Sequence, residues 1–189
     1  MQANTSLSRT SLPTTCLLDK NIVRAVFEAR VRVRRGRIPL PHQAQAAMVY
    51  QALRQAGLIT YVTPETVHSA QRRDPLIAAS LLTPLTTLTA GRYLRRWARR
   101  LRDFSFSRED SVILAYGSFG VDTQHQTFGA EVIVSTDQPL MRRFHEQHDS
   151  IARRFQRMIC QLTLPYCLAL LPTLMSPDEM LTILMKSED

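Results

Sequence analysis

The apolar positions along the chain switch repeatedly between two periods. A short run at 14–18 (TTCLL) has the length and β-branching of a buried strand. Ile22, Val23, Val26, Phe27 and Ala29 follow at helical spacing over 21–34, closing at Gly36. Pro39 and Pro41 open a second helical stretch through Ala44, Ala47, Met48 and Ala52, with Pro41 suited to a first turn and Gly57 as a stop. The next strand is 58–62 (LITYV), and Thr63-Pro64 starts another helix at once. Residues 74–90, rich in Leu and Thr with Pro75 and Pro84, read as a short helix and a loop. A helix over 91–102 comes next. Ser107 and Asp110 then form a capping box for a helix carrying Val112, Ile113, Leu114 and Tyr116. A third strand at 130–134, a long helix over 139–158, an edge strand within 160–171 and a last helix from Ser176-Pro177-Asp178-Glu179 to Lys186 complete the pattern.

Strands interleaved with helices predict a parallel sheet between two helical layers, because each right-handed crossover lays its helix on a sheet face. The expected fold class is therefore α/β, a three-layer α/β/α sandwich with a mostly parallel central sheet. At 189 residues the chain suits one domain. The expected division is a flexible tail at 1–13, the sandwich at 14–175, and a C-terminal helix with an acidic tail at 176–189. That last segment is more apolar than a solvated tail should be. Between Pro172 and Pro177 it is expected to stand off the body and offer a Met-rich face to a second copy of the chain or to a partner helix.

Composition narrows the function classes. Hydrophobic residues at 44% and charged residues at 21% exclude disordered and low-complexity chains. The basic residues are 22 Arg and 2 Lys against 16 acids, a net charge of +8. Four of those acids lie beyond residue 177, so the body is more basic still, and a polyanion is the expected partner. Cys16, Cys160 and Cys167 show no CxxC spacing and sit among apolar neighbours, which predicts reduced, buried thiols. The N-terminus lacks an export pattern, and the apolar stretch 162–175 is too short to span a bilayer. A cytoplasmic chain with no membrane partner is the expectation.

In a parallel sheet the carboxyl ends of the strands share one edge, where ligands bind. Four acids map to that edge: Asp19 after the first strand, Glu65 in the first turn after the second, Asp110 at the start of its helix, and Asp137 after the third. Converging carboxylates repel unless protonated or bridged by a cation. Oxygen donors without His or Cys suit Mg²⁺ or Mn²⁺, with Asp19, Asp110 and Asp137 as candidate metal ligands and Glu65 as a further catalytic acid.

These motifs resemble the PIN-domain family. Leu17-Leu18-Asp19-Lys20-Asn21 looks like its opening, an apolar strand ending in Asp-x-Asn. Glu109-Asp110-Ser111-Val112-Ile113-Leu114-Ala115 is similar to its Asp-initiated helix. Val132-Ile133-Val134-Ser135-Thr136-Asp137 is similar to the strand and Thr/Ser-x-Asp loop that bring in its last acid. The resemblance covers residues 14–171. It implies a metal-dependent ribonuclease, as in the toxins of bacterial toxin-antitoxin pairs, with RNA as substrate, an antitoxin-like protein as partner, and Asn21, Ser135 and Thr136 in support of the acids. The family's second acid falls near Ser69, one helical turn beyond Glu65, and Lys20 stands where a small residue is usual.

Each residue also has a plainer reading. Asp19 and Asp110 suit helix caps, and Glu65 complements a helix dipole. On a helical wheel Arg92, Arg95, Arg96 and Arg99, with Arg100 and Arg102, oppose the apolar arc of Tyr93, Leu94, Trp97, Ala98 and Leu101. That cationic face suits either solvent or phosphates, and Arg92, Arg95, Arg96 and Arg99 are the nucleic-acid contacts expected here. A PIN-like module that binds nucleic acid or protein without cleaving is the alternative function.

Overall fold

A computed structural model describes residues 12–124 and 127–186. Most of the expected tail at 1–13, and the terminal acids Glu188 and Asp189, lie outside the described residues. The order is β1 (Thr15–Leu18), α1 (Lys20–Arg34), α2 (Pro41–Gln55), β2 (Ile59–Val62), α3 (Pro64–Arg73) and α4 (Pro75–Leu82). Then come β3 (Thr86–Thr87), β4 (Thr89–Ala90), α5 (Leu94–Arg102), α6 (Arg108–Phe119), β5 (Gly120–Asp122) and β6 (Thr127–Phe128). The chain closes with β7 (Val132–Val134), α7 (Gln138–Glu146), α8 (His148–Ile159), β8 (Thr173–Met175) and α9 (Pro177–Met185).

Five strands form one parallel sheet in the order β3-β2-β1-β7-β8. Their side chains alternate between two cores, as the strand period demands. Leu17, Tyr61, Ile133 and Leu174 face a cluster filled by Trp97, Leu101, Leu114, Phe119, Phe144 and Phe155 of α5–α8. Cys16, Leu18, Val62, Val132 and Val134 face the opposite cluster, built from α1–α4 and α9. Burial on both faces is why these strands read as continuous apolar runs. The fold is the α/β/α sandwich that the pattern predicts. A small antiparallel sheet, β4-β5-β6, sits beside it. Its two- and three-residue strands, like β3, carry too few positions to register as a period.

Helix α6 approaches the sheet closely through Gly117. A Cβ there would stand 2.7 Å from both Ile133 Cδ1 and Pro172 Cγ. This close approach seats α6 against β7 and fixes where its amino end, with Glu109 and Asp110, meets the sheet edge.

Four expectations are corrected. The long helix over 139–158 is two helices broken at Gln147. Phe144 and Ile151 are seven apart and stay in phase, so periodicity hides the break. Gln147 Nε2 instead donates to the Phe104 carbonyl oxygen at 3.3 Å, a tertiary bond that no local signal contains. The edge strand lies at β8 rather than within 160–171. That earlier segment holds a short 3₁₀ turn at Tyr166–Leu168, and strand pairing begins only past Pro172, which has no N–H to give a ladder. Of the three thiols, Cys16 is buried, Cys160 is exposed and Cys167 is intermediate. Cys160 caps the end of α8, outside the core, whereas burial pushes the Cys16 thiol up to about 12.

The fourth correction concerns the C-terminal segment. Helix α9 lies on the body: Met180 is fully buried and Leu184 nearly so, packed in the same cluster as α2. Gln45 of α2 also hydrogen-bonds Asp178. The reason is that β8 adds to β7 and delivers the chain to that sheet face, so Met180 and Leu184 are buried there while Met185 stays exposed. Met180→Ala is expected to destabilise the fold by about 2–4 kcal/mol, the usual cost of emptying a buried Met site, read as a lowered urea midpoint at unchanged slope. Removal of residues 176–189 is expected to cost more than that.

Candidate active site

The chain leaves β1 for β2 and then β3 on one side, and returns to the other side of β1 with β7 and β8. The strand order therefore reverses between β1 and β7, the crevice where open parallel sheets bind ligands. Leu18 lies in register with Val134, and the Asp19 amide donates to the Val134 carbonyl oxygen at 3.0 Å. Asp19 and Ser135 are thus the first residues past two adjacent strand ends.

At this crevice lies a cavity of about 60 Å³ lined by Asp19, Lys20, Asn21, Thr63, Glu65, Thr66, Glu109, Asp110, Val112, Ile113, Asp137 and Leu140. That is room for more than one water, which needs roughly 10–15 Å³. All four sequence-predicted acids line it, together with Glu109. Ser69 does not: it opens onto a smaller neighbouring pocket with Arg24 and Arg73, on the far side of Lys20. Glu65 occupies the place on the cavity wall.

Asp19 is the buried member, 6% exposed. Although it precedes α1, its side chain makes no capping hydrogen bond. Its Oδ2 instead accepts from Ser135 Oγ at 2.7 Å and from Asn21 Nδ2 at 3.4 Å. Ser135 is itself fully buried, and its Oγ accepts the Asp137 amide at 3.1 Å. Burial raises the Asp19 carboxyl above the ordinary carboxylate range. The Ser135 hydrogen bond and the Lys20 backbone and ammonium pull it back, while the charge of Asp137 adds to the rise.

The other acids divide their carboxylates between the cavity and local helix caps. Asp137 Oδ1 accepts the Leu140 amide at 3.0 Å, capping α7. Asp110 Oδ2 accepts the Ser107 amide at 3.3 Å while its own amide donates to Ser107 Oγ, completing the capping box. Glu65 lies exposed in the first turn of α3, whose cap is Thr63. Thr136 is exposed and stands apart from the cavity lining, so of the expected supporting residues only Asn21 and Ser135 reach the acids. Arg95, Arg96 and Arg99 lie exposed on α5, while Arg92 precedes that helix and stacks its guanidinium 5.6 Å from the Tyr93 ring centroid.

Sequence reasoning did not place Lys20 and Glu109 in the site. They form an ion pair across 89 residues of sequence. The Glu109 bond is the main reason the Lys20 ammonium holds its proton more tightly than usual, with Glu65 and Asp19 adding to it. Five carboxylates and one ammonium thus line the cavity. Among the described residues no three His, Cys, Asp or Glu side chains stand as a ready-made ligand group for direct coordination. Compared with protein-family models, curated proteins and solved structures, the chain gives no match.

The pH dependence of stability follows from Asp19. Its raised folded-state value means that the native state favours the protonated form, a contribution fully present below the ordinary value of 3.8 and lost as pH rises through the raised value. Asp19→Asn, which keeps an acceptor for Ser135, is therefore expected to be the more stable protein at pH 7 in metal-free buffer. The gain is on the order of 1 kcal/mol, about 2–4 °C in Tm for a chain of this size. Thermal melts across pH should show the gain closing as pH falls through the raised value and gone below the ordinary 3.8.

Proposed function

We propose that this protein is a PIN-like ribonuclease that hydrolyses RNA phosphodiester bonds with Mg²⁺ or Mn²⁺ at the acid-lined crevice. The observation that carries this reading is the buried Asp19 carboxylate facing four further carboxylates at the switch point of a parallel sheet, in a chain of net charge +8. An acid-lined cavity suits a bound cation, and an anionic substrate suits the net positive charge of the chain.

The donor set fits a hydrated hard cation. Every candidate ligand is a carboxylate oxygen, with no His or Cys among the lining residues. Mg²⁺ keeps several waters and takes one or two carboxylates directly, so Asp19 and Asp137 would hold it, with Asp110 and Glu65 reaching its waters. Bound there, the ion would polarise a phosphoryl oxygen and lower the pKa of a bound water. The chain's own groups do the positioning. Ser135 ties the Asp19 carboxylate to the Asp137 backbone, so both acids keep one mutual orientation. Glu65, exposed at the mouth, would take a proton from the attacking water. Lys20 would release part of its hold on Glu109 to meet a non-bridging phosphate oxygen.

Lys20 also supports a second reading. Its ammonium already supplies positive charge to Glu109, Glu65 and Asp19, which is the electrostatic task of a metal ion in such a cluster. A crevice neutralised this way suits a module that binds RNA without cutting it.

Cleavage of a labelled single-stranded RNA under Mg²⁺ and Mn²⁺ titration tests both. The expected result is ion-dependent cleavage that drops about a hundredfold or more in Asp19→Asn. Equal rates in the two proteins, or RNA binding with no cleavage at any ion concentration, would leave only the binding module. Thermal shift gives an independent readout. Mg²⁺ is expected to raise the Tm of wild type but not of Asp19→Asn, and Lys20→Gln is expected to enlarge the shift by removing a competing cation.

A further inference from the structure

Helices α5 and α8 meet through their side chains over the aromatic core, where Trp97 and Phe155 pack with ring centroids 5.1 Å apart. Their outer faces together make a second basic surface that neither helix shows alone. A cleft of about 320 Å³ opens between α8 and the loop that follows α5, lined by Asp103, Phe104, Ser150, Arg153, Arg154 and Arg157. The three arginines are exposed. Arg153 is held along α8 by the Asp149 carbonyl oxygen at 3.2 Å and by Ser150 Oγ at 3.4 Å, and Arg154 pairs with Asp103 at 3.7 Å. Arg157 has no ion pair among the described residues. On the α5 side, burial together with Arg96 and Arg154 lowers the Arg100 guanidinium from its ordinary value, with only Asp103 opposing. The cations crowd one another here, and a single paired carboxylate does not balance them.

The floor of the cleft is not merely cationic. Phe104 is half-buried on it, and its backbone is fixed by the Gln147 bond to its carbonyl oxygen. Ser105 next to it has φ 63°, a left-handed turn that a serine adopts at a cost, and its carbonyl oxygen accepts from Arg143 Nη1 at 2.6 Å. Two residues further on is Ser107, the cap of α6, whose box partner Asp110 lines the acid cavity. One short, pinned loop therefore joins the cleft to the crevice.

We infer that the cleft between α8 and the loop after α5 is a binding site for a single-stranded RNA segment, with Arg153, Arg154 and Arg157 on successive phosphates and Phe104 as a stacking surface for a base, leading the strand toward the acid crevice. This rests on the RNA reading above for the identity of the polyanion, though not on cleavage. Guanidinium groups favour phosphate, and a part-exposed aromatic ring in the cleft lining favours unpaired bases over a duplex.

The test is RNA binding in EDTA by fluorescence anisotropy, on full-length protein carrying Asp19→Asn so that no cleavage occurs. The probes are a single-stranded RNA 12-mer and a duplex of the same length. Replacing Arg153, Arg154 and Arg157 together by Gln is expected to weaken single-strand binding about tenfold or more at low salt. The slope of log affinity against log salt is expected to fall by about 2, close to 0.7 for each of three phosphates. Phe104→Leu is expected to weaken single-strand binding about fivefold or more at unchanged slope, with duplex binding unaffected. An unchanged slope in the arginine variant overturns the site. So does loss of binding to phosphatidylserine vesicles with RNA binding intact, which assigns the surface to a membrane. An intact salt slope loss with no effect of Phe104→Leu overturns the single-strand assignment. Because the arginines are exposed, an unchanged melting temperature accompanies a valid result, and conservative Arg→Lys replacements restore the slope if a variant folds poorly. Cleavage by otherwise wild-type protein is measured separately: absent cleavage with the slope loss removes the ribonuclease and keeps this site, whereas cleavage unaffected by the arginine variant does the reverse.

Discussion

The parallel pairing of β1 with β7 is the constraint on which the site depends. It sets Leu18 against Val134 and ties the Asp19 amide to the Val134 carbonyl oxygen. That register leaves Ser135 as the nearest hydroxyl to a carboxylate that has lost its water. Had β7 paired elsewhere in the sheet, Asp19 would have been a plain helix cap and Asp137 another, with nothing between them. Because the pairing reverses the strand order at this point, the crevice opens where the two loops diverge, and α3 and α6 bring Glu65, Glu109 and Asp110 to its rim.

The electrostatics of the molecule run in opposite directions at two scales. Over the whole chain the charge is strongly positive, which draws a polyanion at long range. Within the crevice five carboxylates outnumber one ammonium, which repels the same polyanion at short range unless a cation intervenes. Lys20 supplies part of that charge by pairing with Glu109. The contest between this fixed ammonium and a mobile divalent ion distinguishes a cutting site from a merely binding one. The α5/α8 surface sits outside the contest. None of its arginines lines the crevice.

Two helical layers on a buried sheet also explain why the C-terminal helix behaves as it does. A five-stranded parallel sheet has two faces to cover, and the face that carries Cys16, Leu18, Val62, Val132 and Val134 reaches as far as β7 and β8. Helices α1–α4 follow the strands on the β2 side, which leaves the region beside β8 for α9. Met180 and Leu184 fill it. An apolar C-terminal helix beside an uncovered sheet face buries its inward side chains there.

What the sequence determined by itself was local. Short apolar runs alternating with amphipathic helices specified the α/β class, since strands buried on both faces and helices with one apolar stripe each leave their own period. Pro41, Thr63-Pro64, Ser107 with Asp110, and Ser176 with Glu179 marked helix starts correctly, because capping bonds span only three or four residues. The acids could be placed at one edge, because a parallel sheet puts all its strand ends there. The tertiary structure alone decided which strands are neighbours, and therefore that Asp19 bonds Ser135 across 116 residues while Asp110 and Asp137 remain caps as well as wall residues. It decided that Lys20 meets Glu109, that Gln147 breaks a helix whose apolar phase never changes, and that Arg154 of α8 stands near enough to Arg100 of α5 to lower its guanidinium. Each of these rests on contacts between segments distant in sequence. Their energies depend on what lies opposite, and no periodicity or spacing within one segment records that.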